Sequence, residues 1–99
     1  MVRVALLVRL NAKPGKEAEL ASFLEGALPA ARAEGNTTVW FALRLDAGVY
    51  GIFDAFPDEP ARQAHLSGQI AAALMKRAPE LLSQPPAIEK VDVIAAKLP

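Results

Sequence analysis

No cysteine occurs among the 99 residues, which excludes disulfides and thiolate metal sites. There is one histidine, and the carboxylates are scattered. A zinc or non-haem iron site would therefore be short of ligands, and no metal is expected. Aromatic residues are few, and neither sign of charge prevails, with 11 Lys and Arg against 11 Asp and Glu. Without a basic stripe or arginines interleaved with aromatics, nucleic acid is not an expected partner. No apolar run approaches the roughly 18 residues of a membrane span, so no membrane partner is expected either. The opening MVRVALLVRLNAKPG lacks an Ala-x-Ala cleavage site, and Arg9 interrupts its apolar run. It reads as a buried strand of a cytoplasmic protein rather than as a secretory signal.

What is abundant is apolar: 53% of the chain is hydrophobic and only 22% charged. A chain of this length makes one domain, residues 1–99, with an interior too small to hide all of that surface, so an oligomer is expected. Val2, Val4, Leu6, Val8 and Leu10 alternate along a first strand that ends at Pro14-Gly15. From Lys16 to Glu34 the apolar positions Leu20, Phe23, Leu24, Ala27, Leu28 and Ala31 have helical spacing. Pro29 is expected to kink that helix, and Gly35 to end it in a left-handed conformation. The helix charges Glu17, Glu19, Glu25, Arg32 and Glu34 read as a solvated face. Thr37–Leu45 and Val49–Phe56 are two further strands around a three-residue loop, Asp46-Ala47-Gly48, with Gly48 at positive φ. That loop pairs Leu45 with Val49, Leu43 with Gly51 and Phe41 with Phe53 on one face. On the other it pairs Arg44 with Tyr50, Ala42 with Ile52 and Trp40 with Asp54. Asp58 is a good N-cap, with Pro60 in the first helical turn. Ser67-Gly68 interrupts the helix, which resumes from Gln69 to Arg77, and Ile88–Ala96 is the last strand.

The order β-α-β-β-α-β predicts a ferredoxin-like α+β fold, an antiparallel four-stranded sheet with the helices on one face. The mixed face, taken as Arg3, Leu7, Arg9, Trp40, Arg44, Tyr50, Ile52, Asp54 and Phe56, is too apolar to lie in water. A second copy of the same sheet would cover it, giving a homodimer that encloses a barrel.

The most informative stretch is FDAFPDEPARQAH, in which Asp54, Phe56, Asp58, Ala61 and His65 run from the end of a strand into a capped helix. Together with NAKPGKE after the first strand and RAEG at the end of the first helix, it resembles the antibiotic biosynthesis monooxygenase family of dimeric α+β barrels. Glu commonly stands in that family where this chain has Asp54, and Trp where it has Phe56. The haem-degrading branch matches poorly. It has an Asn near Val8, a Trp at the position of His65 and a ligating His near Met75, none of which is present.

The resemblance implies a cofactor-independent monooxygenase that oxidises a small aromatic phenol or quinol. An electron-rich phenolate can reduce oxygen itself, so no flavin, haem or metal is implied. His65 would be the base and Asp54 its acidic companion in the motif. Trp40, Tyr50 and Phe56 would offer flat surfaces to a ring, and Arg9 or Arg44 would stabilise an oxyanion. Two other functions fit the same fold, a non-catalytic dimeric module that binds a small ligand and an isomerase or lyase. In structural terms, Asp54 needs a partner, either an arginine on its face or a backbone cap on the 57–60 turn, because burying a lone carboxylate is costly; about two turns into the helix, the His65 imidazole is expected to reach back across the sheet edge toward it.

Overall fold

The computed structural model describes residues Met1–Pro99. The elements are β1 (Val4–Asn11), α1 (Glu17–Gly26), α2 (Leu28–Ala33), β2 (Val39–Asp46), β3 (Val49–Phe56), α3 (Glu59–Leu66), α4 (Gln69–Leu81) and β4 (Ala87–Asp92). The sheet order is β2-β3-β1-β4, antiparallel throughout, which is the ferredoxin-like arrangement the element order predicted. No helix is long and apolar enough to cross a membrane.

Local chemistry accounts for the helix boundaries. One helix was expected from Lys16 to Glu34. Two form, with the break at Ala27, because Pro29 cannot donate to the carbonyl four residues back and its ring crowds that carbonyl. Gly35 does not take a positive φ; only Gly15 and Gly48 do. α2 instead ends at Glu34 in an extended conformation. α4 runs through Pro79 to Leu81 rather than stopping at Arg77. The bond Pro79 cannot donate would have gone to the carbonyl of Met75, an exposed residue. The last strand stops at Asp92, short of Ala96.

The β2–β3 register follows the expected pairs from Trp40–Asp54 to Arg44–Tyr50, then shifts. Asp46, not Leu45, pairs with Val49. Gly48 takes φ 72° in the turn.

The faces of the sheet differ more from the expected ones. Val4, Leu6, Val8 and Leu10 of β1 pair with Phe56, Asp54, Ile52 and Tyr50 of β3. Directly opposed residues share a face, so Trp40, Arg44, Tyr50, Ile52, Asp54 and Phe56 belong to the helix-covered side. They do not share a face with Leu7 and Arg9. Tyr50 and Ile52 pack with Val8, Leu10, Leu20, Leu24, Leu74, Ala78 and Leu81 in the main core, and Phe56 packs with Leu6 and Ala61. The open face instead carries Leu7, Phe41, Leu43, Leu45 and Phe53, with Phe41 52% exposed. The hairpin's own alternation is the same whichever way it docks. The long-range β1–β3 register decides which side turns inward.

Gly51 sits at the centre of this sheet with no room for a side chain. An added Cβ would lie 2.9 Å from the Val8 carbonyl oxygen and 3.1 Å from Leu45 Cδ1. Gly51→Ala is expected to lower stability by about 1–3 kcal/mol, measured by urea unfolding. An unchanged midpoint would mean that the central strands separate at no cost.

Candidate functional site

The site is built around the start of α3. Asp58, with extended backbone at φ −158°, accepts a hydrogen bond on Oδ1 from the Ala61 N–H at 2.9 Å. This caps the helix as expected. One turn on, Arg62 is buried and donates from Nη1 to the carbonyls of Ala5 (3.1 Å) and Val91 (3.2 Å), while pairing with Glu59. The hydrogen bonds of Arg62 and Gln63 hold the Glu59 carboxyl down at about 2. The Arg62 guanidinium thus ties α3 to the β1–β4 edge and sets the helix rotation that turns His65 inward.

His65 is 7% exposed and lies between two carboxylates. Its Nε2 is 2.8 Å from Asp54 Oδ2, and its Nδ1 is 2.5 Å from Glu34 Oε1. Thr37 Oγ1 donates to the same Glu34 oxygen at 2.8 Å. Asp54 is completely buried, and neither of its oxygens receives a well-aligned hydrogen bond, so its contact with the imidazole is chiefly a charge pairing. Phe56 closes one side, with ring centroids 5.2 Å apart and planes at 44°. Burial works against a charge on His65, but Asp54 and Glu34 outweigh it and raise its pKa to about 9. At neutral pH the ring is therefore an imidazolium, with no lone pair to accept a proton. The three groups stand in a row with the ring in the middle and form no cluster that could hold a metal ion.

A cleft of about 360 Å³ opens beside this row, between the end of α2 and α3. Ala30, Ala33, Ala61, Ala64 and Gly68 give it small apolar walls, and Asn36, Thr37 and Gln69 give it neutral polar ones. Glu34 and His65 are its titratable lining groups. A Cβ built on Gly68 would lie 3.4 Å from Glu34 Oε2, the carboxylate oxygen turned away from His65.

Of the residues singled out from sequence, Asp54, Phe56 and His65 come together, and Trp40 sits opposite Asp54 on β2. Trp40, Tyr50 and Phe56 do not line the cleft. Tyr50 and Phe56 belong to the interior, and the buried Trp40 Nε1 has no hydrogen-bond partner. Arg44 and Tyr50 lie four residues along their strands from Trp40 and Asp54, beside a separate groove against α1. Arg9 is exposed and pairs with Gly51 on the open face, away from the site. The partner Asp54 needed is His65, neither an arginine nor a backbone cap. Helical spacing predicts Glu34 on a solvated face. It is half-buried because α2 ends there and the chain turns toward the sheet. The sequence signal was the RAEG ending followed by Thr37, which puts a hydroxyl three residues from the acid. Arg62 carried no such signal.

The sequence matches no family model and no curated protein. Among solved structures, NE2512 from Nitrosomonas europaea, a protein of unknown function, is 64% identical over 100% of this chain and 96% of its own, with a TM-score of 0.98. Rv0793 from Mycobacterium tuberculosis is 20% identical, covering 95% of this chain and 97% of its own, with a TM-score of 0.83. A candidate antibiotic biosynthesis monooxygenase from Caulobacter crescentus is also 20% identical, covering 95% of this chain and 92% of its own, with a TM-score of 0.81. The last two likenesses are likenesses of fold.

The charged His65 makes a stability prediction with a definite sign. Its pKa is higher in the folded chain, about 9, than the ordinary 6.5. The stabilisation is therefore complete below 6.5 and is lost as the pH rises toward about 9. The loss is on the order of 3 kcal/mol. Melting temperatures across that window should fall in the parent chain. His65→Gln should melt lower at neutral pH, because it leaves Asp54 buried without its cation, and should show no such decline. Identical pH profiles for the two chains would remove the ion pairs from the account of stability.

Proposed function

We propose a function for this chain, which belongs to the same family as the Nitrosomonas europaea protein NE2512: it is a cofactor-independent monooxygenase acting on a small phenol or quinol. The observation that carries the reading is the row Asp54–His65–Glu34, buried at Asp54 and His65 and half-buried at Glu34, at the edge of a ring-sized cleft. Two carboxylates and an imidazole are costly to hold in an interior, and a purely structural contact there could be apolar. The shared fold with candidate antibiotic biosynthesis monooxygenases supports the same class of chemistry.

In this reading Glu34 Oε2 accepts the proton of the bound hydroxyl or acidic carbon. His65, already charged at neutral pH, neutralises one carboxylate of the row and holds Glu34 in place through Nδ1. Asp54 fixes the ring through Nε2. The deprotonated substrate supplies the electrons to oxygen. For an anthrone, one oxygen atom replaces the two hydrogens of the reacting carbon and the other leaves with them as water, so no external reductant is consumed.

A second reading, a dimeric module that binds a small ligand without turning it over, is favoured by one observation: both ring nitrogens of His65 are already occupied by carboxylates. Oxygen-electrode measurements separate the two. With anthrones and quinols and no added flavin or metal, uptake should depend on the protein. Glu34→Gln should lower turnover by about 10²-fold or more. The rate should stay level through neutral pH, whereas a His65 base would make it climb toward about 9. Binding without oxygen consumption would establish the second reading instead.

We also propose that the chain is a homodimer joined through the open sheet face. Leu7, Phe41, Leu43, Leu45 and Phe53 form a patch that a monomer would leave in water. Phe41→Glu should yield a folded monomer by sedimentation, because Phe41 is 52% exposed and outside the protomer core. A parent chain that sediments as a monomer at micromolar concentration would refute the dimer.

A further inference from the structure

The proposed oxygenase site leaves its substrate class open, and the charges around the cleft narrow it. Glu34 and His65 are the titratable groups that line the cleft. Behind them Asp54, fully buried, sits 2.8 Å from the imidazole. One imidazolium between two carboxylates leaves the row with a net formal charge of −1. No lysine or arginine lines the cleft to offset it. Arg9 lies on the other face of the sheet, and Arg44 lines a different groove. Arg62, on the same helix as His65, is taken up by Glu59 and two backbone carbonyls. With no cation in the lining, this charge acts on a group seated directly against Glu34.

Glu34 also has a hydrogen-bonding preference. Its Oε1 accepts from both His65 and Thr37, whereas Oε2 faces the Gly68 side of the cleft. An ionised carboxylate only accepts. A ligand group placed there must bring a proton, and an anionic group there brings none and is repelled.

We propose that Glu34 is the specificity-determining residue of the site: it admits neutral aromatic hydroxyl compounds by accepting their O–H and excludes aromatic carboxylates of the same size. The proposal rests on the reading of this cleft as the substrate site, but not on turnover occurring there.

The test is a pair of binding measurements at neutral pH by calorimetry, with 2-naphthol as the neutral probe and 2-naphthoate as the anion. The parent chain should bind 2-naphthol at least about tenfold more tightly. Glu34→Gln removes one charge and should bring the two affinities together, chiefly by improving 2-naphthoate. Glu80→Gln removes one charge away from the cleft, where Glu80 pairs with Arg77, and should leave the parent ratio in place. Circular dichroism on both variants confirms that the ratio is read on folded protein. Equal affinities in the parent, tighter binding of 2-naphthoate, a preference that survives Glu34→Gln, or no binding of either probe would each overturn the proposal. Naphthol preference without oxygen uptake from any quinol would uphold it while removing the catalytic reading.

Discussion

The imidazole of His65 between two carboxylates is the contact on which the site depends. Asp54 is fully buried on the central strand β3, where a lone carboxylate is expensive. The imidazolium offsets that cost and in turn draws Glu34 in from the end of α2. Sheet, α3 and the segment after α2 are thereby joined at one point. The supporting contacts are local and conventional: Asp58 caps α3, and Arg62 fastens it to backbone carbonyls of β1 and β4. Their joint effect is rotational, since a helix starting one residue earlier or later would turn His65 away from Asp54.

The alanine-rich composition serves more than the core. Ala30, Ala33, Ala61 and Ala64 let the segments around His65 approach closely and still leave a cleft. Larger side chains at those positions would fill it.

The sheet has two apolar faces, and they do different work. The inner one carries the core and the site. The outer one carries exposed Phe41 and Leu45 with half-buried Leu7, Leu43 and Phe53. At Gly51 Leu45 folds over the gap that the missing side chain leaves.

Periodicity and turn chemistry determined the elements and their order. Alternation marked the strands, Asp58 and Ser67-Gly68 marked the helix limits, and Gly48 marked the hairpin. The ferredoxin-like topology then followed from rules of handedness. The motif from Asp54 to His65 also pointed at the pair that meets in space, because strand end and helix start are covalently close. What tertiary structure alone decided was long-range. The β1–β3 register turned Trp40, Tyr50, Ile52 and Phe56 toward the helices, although the hairpin pattern fits either face. The break forced by Pro29 brought Glu34 to a histidine 31 residues away, although helical spacing assigned it to solvent. The charge on His65 depends on both carboxylates arriving together in a buried place. Sequence supplies each group, but only the folded chain sets the distances that decide its protonation.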